Sequence, residues 1–386
     1  MQRVATIAAI VTQHVEDASF LWSRRRHEID GQILGEVDIG RIDQRLDANL
    51  EGMFASGEAA WKLASARFSD YEAPAELFAM GVLALYWGDK ELLYAALDGA
   101  RAVDGGIAGM SGAIACTARD KLRPYVPRWL DGRDPLLQVL GLSALTHHRV
   151  DPGDRLGDLV LSSDPGVRTR AIRLAGIMRR RDVAGEVATA LEAKNERERL
   201  AAACALCLLG EARHAYAGLD KLARTDGTVG AAAIDMRLLA TPKPEAKKWL
   251  QERLDQPSTR LAALGAIGVL GEISIMPWLI EKMRDPTLAF AAGIALRDLI
   301  EVDFNDTDVF AVDPSSLGKE FEKIEDFPLP IADKVEAWWD QGSGLEKRER
   351  FLSMRRLKLD AYRAALVNSS TPLADWRRTR RYPAWM

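Results

Sequence analysis

The thiols and imidazoles are the first candidates for metal or nucleophilic chemistry. Cys204 and Cys207 have the CxxC spacing that forms half of many zinc sites. No second cysteine pair accompanies them, and the surrounding stretch AAACALCLLG is typical of a buried helix, so we interpret both thiols as core residues. The adjacent imidazoles of His147 and His148 point in different directions on a helix or turn and make a poor chelate. The sequence therefore predicts no metal and no other cofactor.

A glycine-rich stretch at 104–115, DGGIAGMSGAIA, is the next candidate, because glycine loops cradle phosphates. It lacks the GxxxxGK[ST] spacing, and no strand pattern precedes it, so we interpret it as the start of a helix. No histidine has a nucleophile and a carboxylate arranged around it along the sequence. We therefore predict no catalytic residues, although a site assembled from distant residues is left open.

Tryptophans beside charged residues are the main candidates for binding another protein, because aromatic residues and arginine are enriched at the centres of interfaces. The candidates are Arg128, Trp129, Lys248, Trp249, Trp278 and Glu281. If the three rings face a groove, they are anchors for a partner, and on this interpretation we predict that Trp249→Ala and Trp278→Ala leave folding nearly intact but weaken partner binding. If they lie between helices, they are core residues, and alanine costs stability. The sequence leaves both interpretations open.

The C-terminal stretch DWRRTRRYPAWM is a second candidate for binding. Its residues of interest are Trp376, Arg377, Arg378, Arg380 and Arg381. Arginine beside aromatic residues is typical of protein interfaces and also of proteins that bind single-stranded nucleic acid. The formal net charge of −4 disfavours nucleic acid as the main partner, because binding phosphates usually needs a broad basic surface.

A repeat of 29 to 32 residues organises the middle of the chain. It begins at Glu72, Asp104, Asp134, Asp164, Asn195, Asp226, Gln256 and Asp285. Most of these residues are helix-capping types, and several precede proline, which suits the first helical position. The residue seven positions further on is always small, which predicts that another backbone passes close there. A short polar connection and a second helix follow each first helix.

These units predict an all-α fold, because strand signals are nearly absent. One helix pair cannot bury its apolar side alone, so neighbouring pairs must stack into a solenoid. The unit resembles the HEAT repeat, which implies a right-handed α-α superhelix over residues 72–300. Residues 1–71 are predicted to form a helical N-terminal cap.

Beyond the repeats, a C-terminal extension of irregular and helical segments is predicted. Residues 301–340 carry a local charge of −9 and residues 341–386 a local charge of +7. The opposite charges favour packing of the two segments as a C-terminal cap. A docking tail for an acidic partner is the alternative.

Four stretches outside the repeat carry a family resemblance: VEDASFLWSRRR, IGRIDQRLDANLEGMFASGEAAW, LPIADKVEAWWD and RRYPAWM. Together with the repeats, they are similar to a family of bacterial HEAT-repeat proteins of unassigned activity, which occurs in gene clusters for type VI secretion. The resemblance implies a cytoplasmic accessory protein whose partner is a secreted effector, a spike protein or an adaptor. It carries over no functional residue.

The leading hypothesis is a non-enzymatic scaffold or adaptor that binds another protein. Two enzymes with HEAT-like repeats stay open as alternatives, a DNA glycosylase of alkylated bases and a phycobilin lyase. The few cysteines suit a reducing compartment, and no apolar run is long enough to span a membrane, so a cytoplasmic location is expected. The sequence does not specify the oligomeric state.

Overall fold

The fold is known from a computed structural model, which describes residues 7–31, 36–300, 302, 306–325 and 328–341. This part of the chain is mostly helical, with one pair of two-residue strands, as the all-α prediction requires. The helices are short, and adjacent helices pack along the chain. Short polar connections separate them, and several begin with a glycine in the left-handed region that ends the preceding helix, such as Gly88 (φ 68°) and Gly210 (φ 89°).

The α-helices are α1 (Ala8–Gly31), α2 (Glu36–Ser56), α3 (Glu58–Tyr71), α4 (Pro74–Trp87), α5 (Lys90–Ala102), α6 (Gly106–Ala115), α7 (Arg119–Leu122), α8 (Val126–Asp131), α9 (Pro135–His148), α10 (Arg155–Val160), α11 (Pro165–Met178), α12 (Ala184–Thr189), α13 (Glu196–Leu209), α14 (Ala212–Leu222), α15 (Gly227–Leu239), α16 (Lys243–Leu254), α17 (Arg260–Gly265), α18 (Ile267–Leu270), α19 (Met276–Met283), α20 (Ala289–Ile300) and α21 (Ala332–Asp340). Short 3-10 helices cover Arg181–Val183, Ala190–Glu192, Ile273–Ile275, Pro314–Leu317 and Lys319–Phe321. Strands β1 (Phe310–Ala311) and β2 (Leu329–Pro330) pair antiparallel.

The chain forms two compact units, which are described separately here. The first unit comprises the residues up to Gly31 together with Glu36–Met178 and contains α1 to α11. The second comprises the described residues from Arg179 onward and contains α12 to α21. The division between them falls inside the predicted repeat region.

The first unit begins with three helices that precede the repeats, and α3 ends at Tyr71. Helix α1 packs against α2, α3 and α4. Its buried residues include Val15 and Leu21, and Trp22 stacks on Phe78 of α4 with the ring centroids 5.1 Å apart. Apolar residues of α1 thereby cover the first helix of the first repeat.

The predicted capping residues begin several of the helices. The Asp134 side chain accepts a hydrogen bond from the amide of Leu136, and the Asn195 side chain accepts from Arg197 and Glu198. The Asp164 side chain accepts from the amide of Val167 at the start of α11. These bonds satisfy backbone donors that the first helical turn leaves unpaired, which is why these residue types mark the repeat starts.

Helices α4 and α6 begin one residue later than the repeat predicts, and two further helices begin later still. The starts at Gln256 and Asp285 are followed by turns, so that α17 begins at Arg260 and α20 at Ala289. The Asp285 side chain accepts a hydrogen bond from the amide of Thr287. The backbone carbonyl of Asp285 accepts hydrogen bonds from the amides of Leu288 and Ala289. The proline after each of these capping residues therefore lies in a turn and not in the first turn of the helix.

The small residue of each repeat lies inside the structure, with one exception. Ala79, Ala171, Ala202, Ala233, Ala263 and Ala292 are fully buried, Gly141 is buried and Ser111 is half-buried. At Gly141 the expectation of a closely passing backbone is wrong. An added Cβ there would lie 3.0 Å from the side chain of Leu130, so a packed leucine is what requires the small residue.

The C-terminal part of the second unit packs on the last helices. Helix α20 contacts β2, and α19 contacts α21. Ala289, Phe321 and Leu329 form a buried apolar cluster. Arg284, which ends α19, donates to Asp333 at 2.8 Å and to Glu336 at 2.6 Å on α21. The part of the predicted acidic segment that forms α21 is therefore held by Arg284 at the end of α19.

Glu272, in the connection before α19, forms ion pairs with two lysines of α16. These pairs make the stability of the second unit sensitive to pH. The Glu272 carboxylate lies 3.0 Å from Lys247 and 3.4 Å from Lys243. The hydrogen bond from Lys247, supported by Lys243, holds the pKa of Glu272 below its usual range. A lowered carboxyl pKa contributes stability above the ordinary glutamate pKa, and this contribution is lost as the pH falls through the lowered value.

We expect Glu272→Gln to lower the free energy of unfolding by about 0.5–1 kcal/mol at neutral pH, because the pair is partly exposed. The difference in unfolding free energy between the variant and the unmodified protein should vanish in acid. There Glu272 is protonated and as neutral as the glutamine that replaces it. Urea unfolding at the two pH values measures it. Glu245→Gln on α16, the helix that carries both lysines, is the control, because Glu245 is exposed and forms no ion pair within the described residues. A loss that is equally large in acid would show that the ion pairs do not cause it.

Candidate functional site

The structure separates the three candidate tryptophans. Trp129 in α8 and Trp249 in α16 are only 5% and 8% exposed, so their rings pack inside their units. Trp278 in α19 is half-buried. The charged neighbours Arg128, Lys248 and Glu281 are all exposed. Of the two interpretations of these rings, packing between helices describes Trp129 and Trp249, whereas Trp278 offers part of its ring to solvent.

Trp249 is held in a stack of aromatic rings and guanidinium groups. The guanidinium carbon of Arg237 lies 3.7 Å from the ring centroid of Tyr216 and 5.5 Å from that of Trp249. The guanidinium carbon of Arg253 lies 5.4 Å from the Trp249 centroid. Asp220 accepts from Arg237 Nε at 3.0 Å. Cations over aromatic faces are favourable contacts, so this stack fixes the Trp249 ring in place.

Arg253 occupies a position that is apolar in the neighbouring second helices. Counted from the repeat starts, its equivalents are Leu222 in α14 and Met283 in α19, both buried. Arg253 is only 7% exposed, and its Nε and Nη1 have no hydrogen-bond partner among the described residues. The Glu252 carboxylate lies 3.8 Å from Arg253 Nη2, too far for a hydrogen bond. Arg253 is therefore a buried cation with unsatisfied donors.

Trp278 lies at a position that faces solvent in the neighbouring second helices. Its equivalents are Ala217 in α14 and Lys248 in α16, both exposed. The ammonium group of Lys282, one turn later, lies 5.3 Å from the Trp278 ring centroid. Glu281 is exposed beside them. We call Trp278, Glu281 and Lys282 the Trp278 surface.

A second aromatic surface belongs to the first unit and is not predicted from the sequence. Tyr86 near the end of α4 is 42% exposed, and the ammonium group of Lys121 lies 5.5 Å from its ring centroid. Tyr125 donates to the carbonyl of Gly88 at 3.1 Å. Arg128 follows Tyr125 by one helical turn and is exposed. We call Tyr86, Lys121, Tyr125 and Arg128 the Tyr86 surface.

The residues considered for metal, nucleophile or phosphate chemistry lie in structural positions. Cys204 and Cys207 are each 1% exposed in α13, and burial raises the pKa of Cys207 to about 12, so its thiol stays protonated. In the glycine-rich stretch, Gly109 of α6 has the Pro74 carbonyl where a Cβ would project, which explains the need for glycine there. Among the residues that the structure describes, no group of His, Cys, Asp and Glu is arranged to hold a metal ion.

The tail residues Trp376, Arg377, Arg378, Arg380 and Arg381 lie outside the described residues. Comparison with protein-family models, curated proteins and solved structures returns no match to this chain. Within the described ranges, every helix is too short or too polar to cross a lipid bilayer. The two surfaces defined above are therefore the candidate functional sites that the structure offers.

Proposed function

We propose that this protein is a non-enzymatic scaffold whose second helices bind another protein, with Trp278 as an anchor. The helix pairs form a HEAT-like right-handed superhelix in this proposal, and the second helices line its inner surface. The alternation of first and second helices along the chain from α4 to α20 supports the repeat architecture, because stacked repeats are built from such pairs.

The position of Trp278 carries this proposal. Its equivalents in α14 and α16 are alanine and lysine, which suit solvent, whereas tryptophan leaves a large apolar ring partly in water. Partly exposed tryptophan beside charged residues is typical of an interface centre, where water exclusion strengthens each contact. Leu279 and Ile280 on the same helix supply buried apolar surface, whereas the Trp278 ring is only half-buried.

The nature of the partner is proposed from the family resemblance. The stretches VEDASFLWSRRR and LPIADKVEAWWD resemble proteins that occur in type VI secretion gene clusters. A secreted effector, a spike protein or an adaptor is the corresponding partner, and the protein would act as a cytoplasmic accessory of that machinery.

Affinity purification after mild crosslinking in the native host tests this function. We expect the unmodified protein to retain a specific protein that Trp278→Ala loses by tenfold or more, as hot-spot truncations do. Leu261→Ala in α17 is the matched control, because Leu261 is 54% exposed in the same unit but lies on a first helix. Quantitative mass spectrometry compares the three samples.

Two results would contradict the proposal. Equal recovery of the partner with Trp278→Ala and with the unmodified protein would exclude Trp278 as an anchor. Recovery of nucleic acid that resists moderate salt, in place of any protein, would favour a DNA-binding enzyme. Identification of a secreted effector, spike protein or adaptor among the lost proteins would support the secretion setting specifically.

A further inference from the structure

We propose that the Tyr86 surface is a docking site for an acidic segment of a partner protein that also carries an aromatic or other large apolar side chain. This inference goes beyond the scaffold function proposed above, because it assigns a separate surface on the other unit and the chemistry of its ligand. Three features of the Tyr86 surface support it: a stacked aromatic pair, contacts that hold the surface in place, and an excess of exposed cations.

A stacked aromatic pair provides the apolar part of the surface. The rings of Phe54 in α2 and Tyr86 in α4 are nearly parallel, at 5°, with centroids 3.8 Å apart. Phe54 is half-buried and supports one side of the Tyr86 ring, while 42% of Tyr86 stays exposed. An exposed ring that is backed by another ring can receive an apolar side chain with little loss of its own rotamer freedom.

Hydrogen bonding and stacking fix the rest of the surface. The Tyr125 hydroxyl donates to the Gly88 carbonyl, two residues after Tyr86, and so ties the α7–α8 connection to the end of α4. The Tyr125 ring also stacks on the buried Trp129, with centroids 5.7 Å apart. Trp129 therefore acts as internal support for an exposed surface. A surface that is held in place before binding loses less conformational entropy when a ligand binds.

The surface is strongly basic. Residues 118–128 contain four exposed cations, Arg119, Lys121, Arg123 and Arg128, and the one acid Asp120. None of the four cations forms an ion pair within the described part of the chain. Nearby arginines of the same unit do pair, as Arg101 does with Asp134 at 2.7 Å and Arg155 with Asp131 at 2.9 Å. The cations at the Tyr86 surface are therefore available to carboxylates of a ligand.

The adjacent acid, Asp89, caps a helix and pairs with none of these cations within the described residues. Asp89 lies between Gly88 and α5, but its side chain accepts from the amides of Glu91 and Leu92 and caps that helix. The excess of cations in residues 118–128 is local, since the whole chain carries a formal net charge of −4. A local basic surface with a ring at its centre suits a short acidic peptide segment, whereas nucleic acid binding is favoured by an extended basic track.

Fluorescence anisotropy with labelled probes tests the inference on the full-length protein. The probes are a peptide of alternating Glu and Phe, a poly-glutamate peptide of equal charge and an oligothymidylate of equal charge. We expect the Glu-Phe peptide to bind more tightly than either other probe. The double variant Lys121→Glu with Arg128→Glu should weaken its binding tenfold or more, since two attractive charges become repulsive.

The matched control is Arg213→Glu with Lys221→Glu on α14, which makes the same charge change on exposed residues of the other unit. This control should change binding by less than twofold, because its charges lie outside the proposed surface. Tyr86→Ala should weaken the Glu-Phe peptide several-fold and leave poly-glutamate nearly unaffected. Circular dichroism of each variant verifies that the helices are retained.

Several outcomes would overturn the inference: no binding of the Glu-Phe peptide, equal weakening by both double variants, or tighter binding of the oligothymidylate. Trp278→Ala should leave binding of the peptide unchanged. A loss with Trp278→Ala but not with the Lys121 and Arg128 changes would assign the peptide to the Trp278 surface, and would contradict this inference while supporting the proposed scaffold function.

Discussion

Trp249→Ala should lower the free energy of unfolding by about 3–5 kcal/mol, the range for truncating a buried large aromatic residue. Trp249 is 8% exposed, and its ring contacts the guanidinium groups of Arg237 and Arg253. Removing the ring leaves a cavity and takes from Arg253 its aromatic contact, while Arg237 keeps only its contact with Tyr216. Both effects act in the same direction, so the loss should lie in the upper part of the range.

Urea unfolding followed by circular dichroism measures this loss, and Trp278→Ala is the control. Trp278 is half-buried, so its replacement should cost less than half as much. Equal losses for the two variants would contradict the difference in burial that the structure shows. A small loss for Trp249→Ala would show that its ring contributes little to the core.

Arg253→Met should raise the free energy of unfolding by about 1–3 kcal/mol, because it removes a buried charge with unsatisfied donors. The equivalent position in α19 is already methionine, Met283, which is 1% exposed. Met fills a similar volume and adapts to irregular spaces, so it should pack beside Trp249 without strain.

Thermal unfolding measures this gain, and Arg224→Met is the control. Arg224 is exposed, so its replacement should shift the melting temperature little. A lower melting temperature for Arg253→Met than for the unmodified protein would show that the Arg253 guanidinium stabilises the unit, for example through Trp249. Such a result would assign a net favourable energy to the cation–aromatic stack.

The repeat and several of its caps are predictable from the sequence because they are local. The side chains of Asp134 and Asn195 accept hydrogen bonds from backbone amides in the first helical turn, as their residue types and spacing indicate. The late starts of α17 and α20 are not predictable in this way. A turn and a helix compete for the residues after Gln256 and Asp285, and capping chemistry alone does not decide between them.

The different burial of Trp249 and Trp278 is predictable when the repeats are compared position by position. Counted from the starts at Asp226 and Gln256, the two residues lie one position apart, so that Trp249 is equivalent to Leu279 and Trp278 to Lys248. One position rotates a side chain by about 100° around a helix. Comparing neighbouring repeats residue by residue therefore separates a core ring from a surface ring.

The Tyr86 surface shows what the sequence does not reveal. Tyr86, Lys121 and Tyr125 belong to different elements and share no spacing pattern. Only the contact of Lys121 with the Tyr86 ring and the bond from Tyr125 to Gly88 bring them together. Arg128 was predicted as a binding residue for its place beside Trp129. The structure keeps Arg128 at the surface and buries Trp129, whose ring stacks on Tyr125.

Photo-crosslinking from position 278 in the native host tests the scaffold function most directly. A photoreactive phenylalanine analogue replaces Trp278 in one strain and Leu261 in another, and the protein is isolated after irradiation. We expect a discrete adduct with one partner protein from position 278 and no such adduct from position 261. The absence of any adduct from position 278, or the same adducts from both positions, would contradict the claim that α19 binds a specific protein.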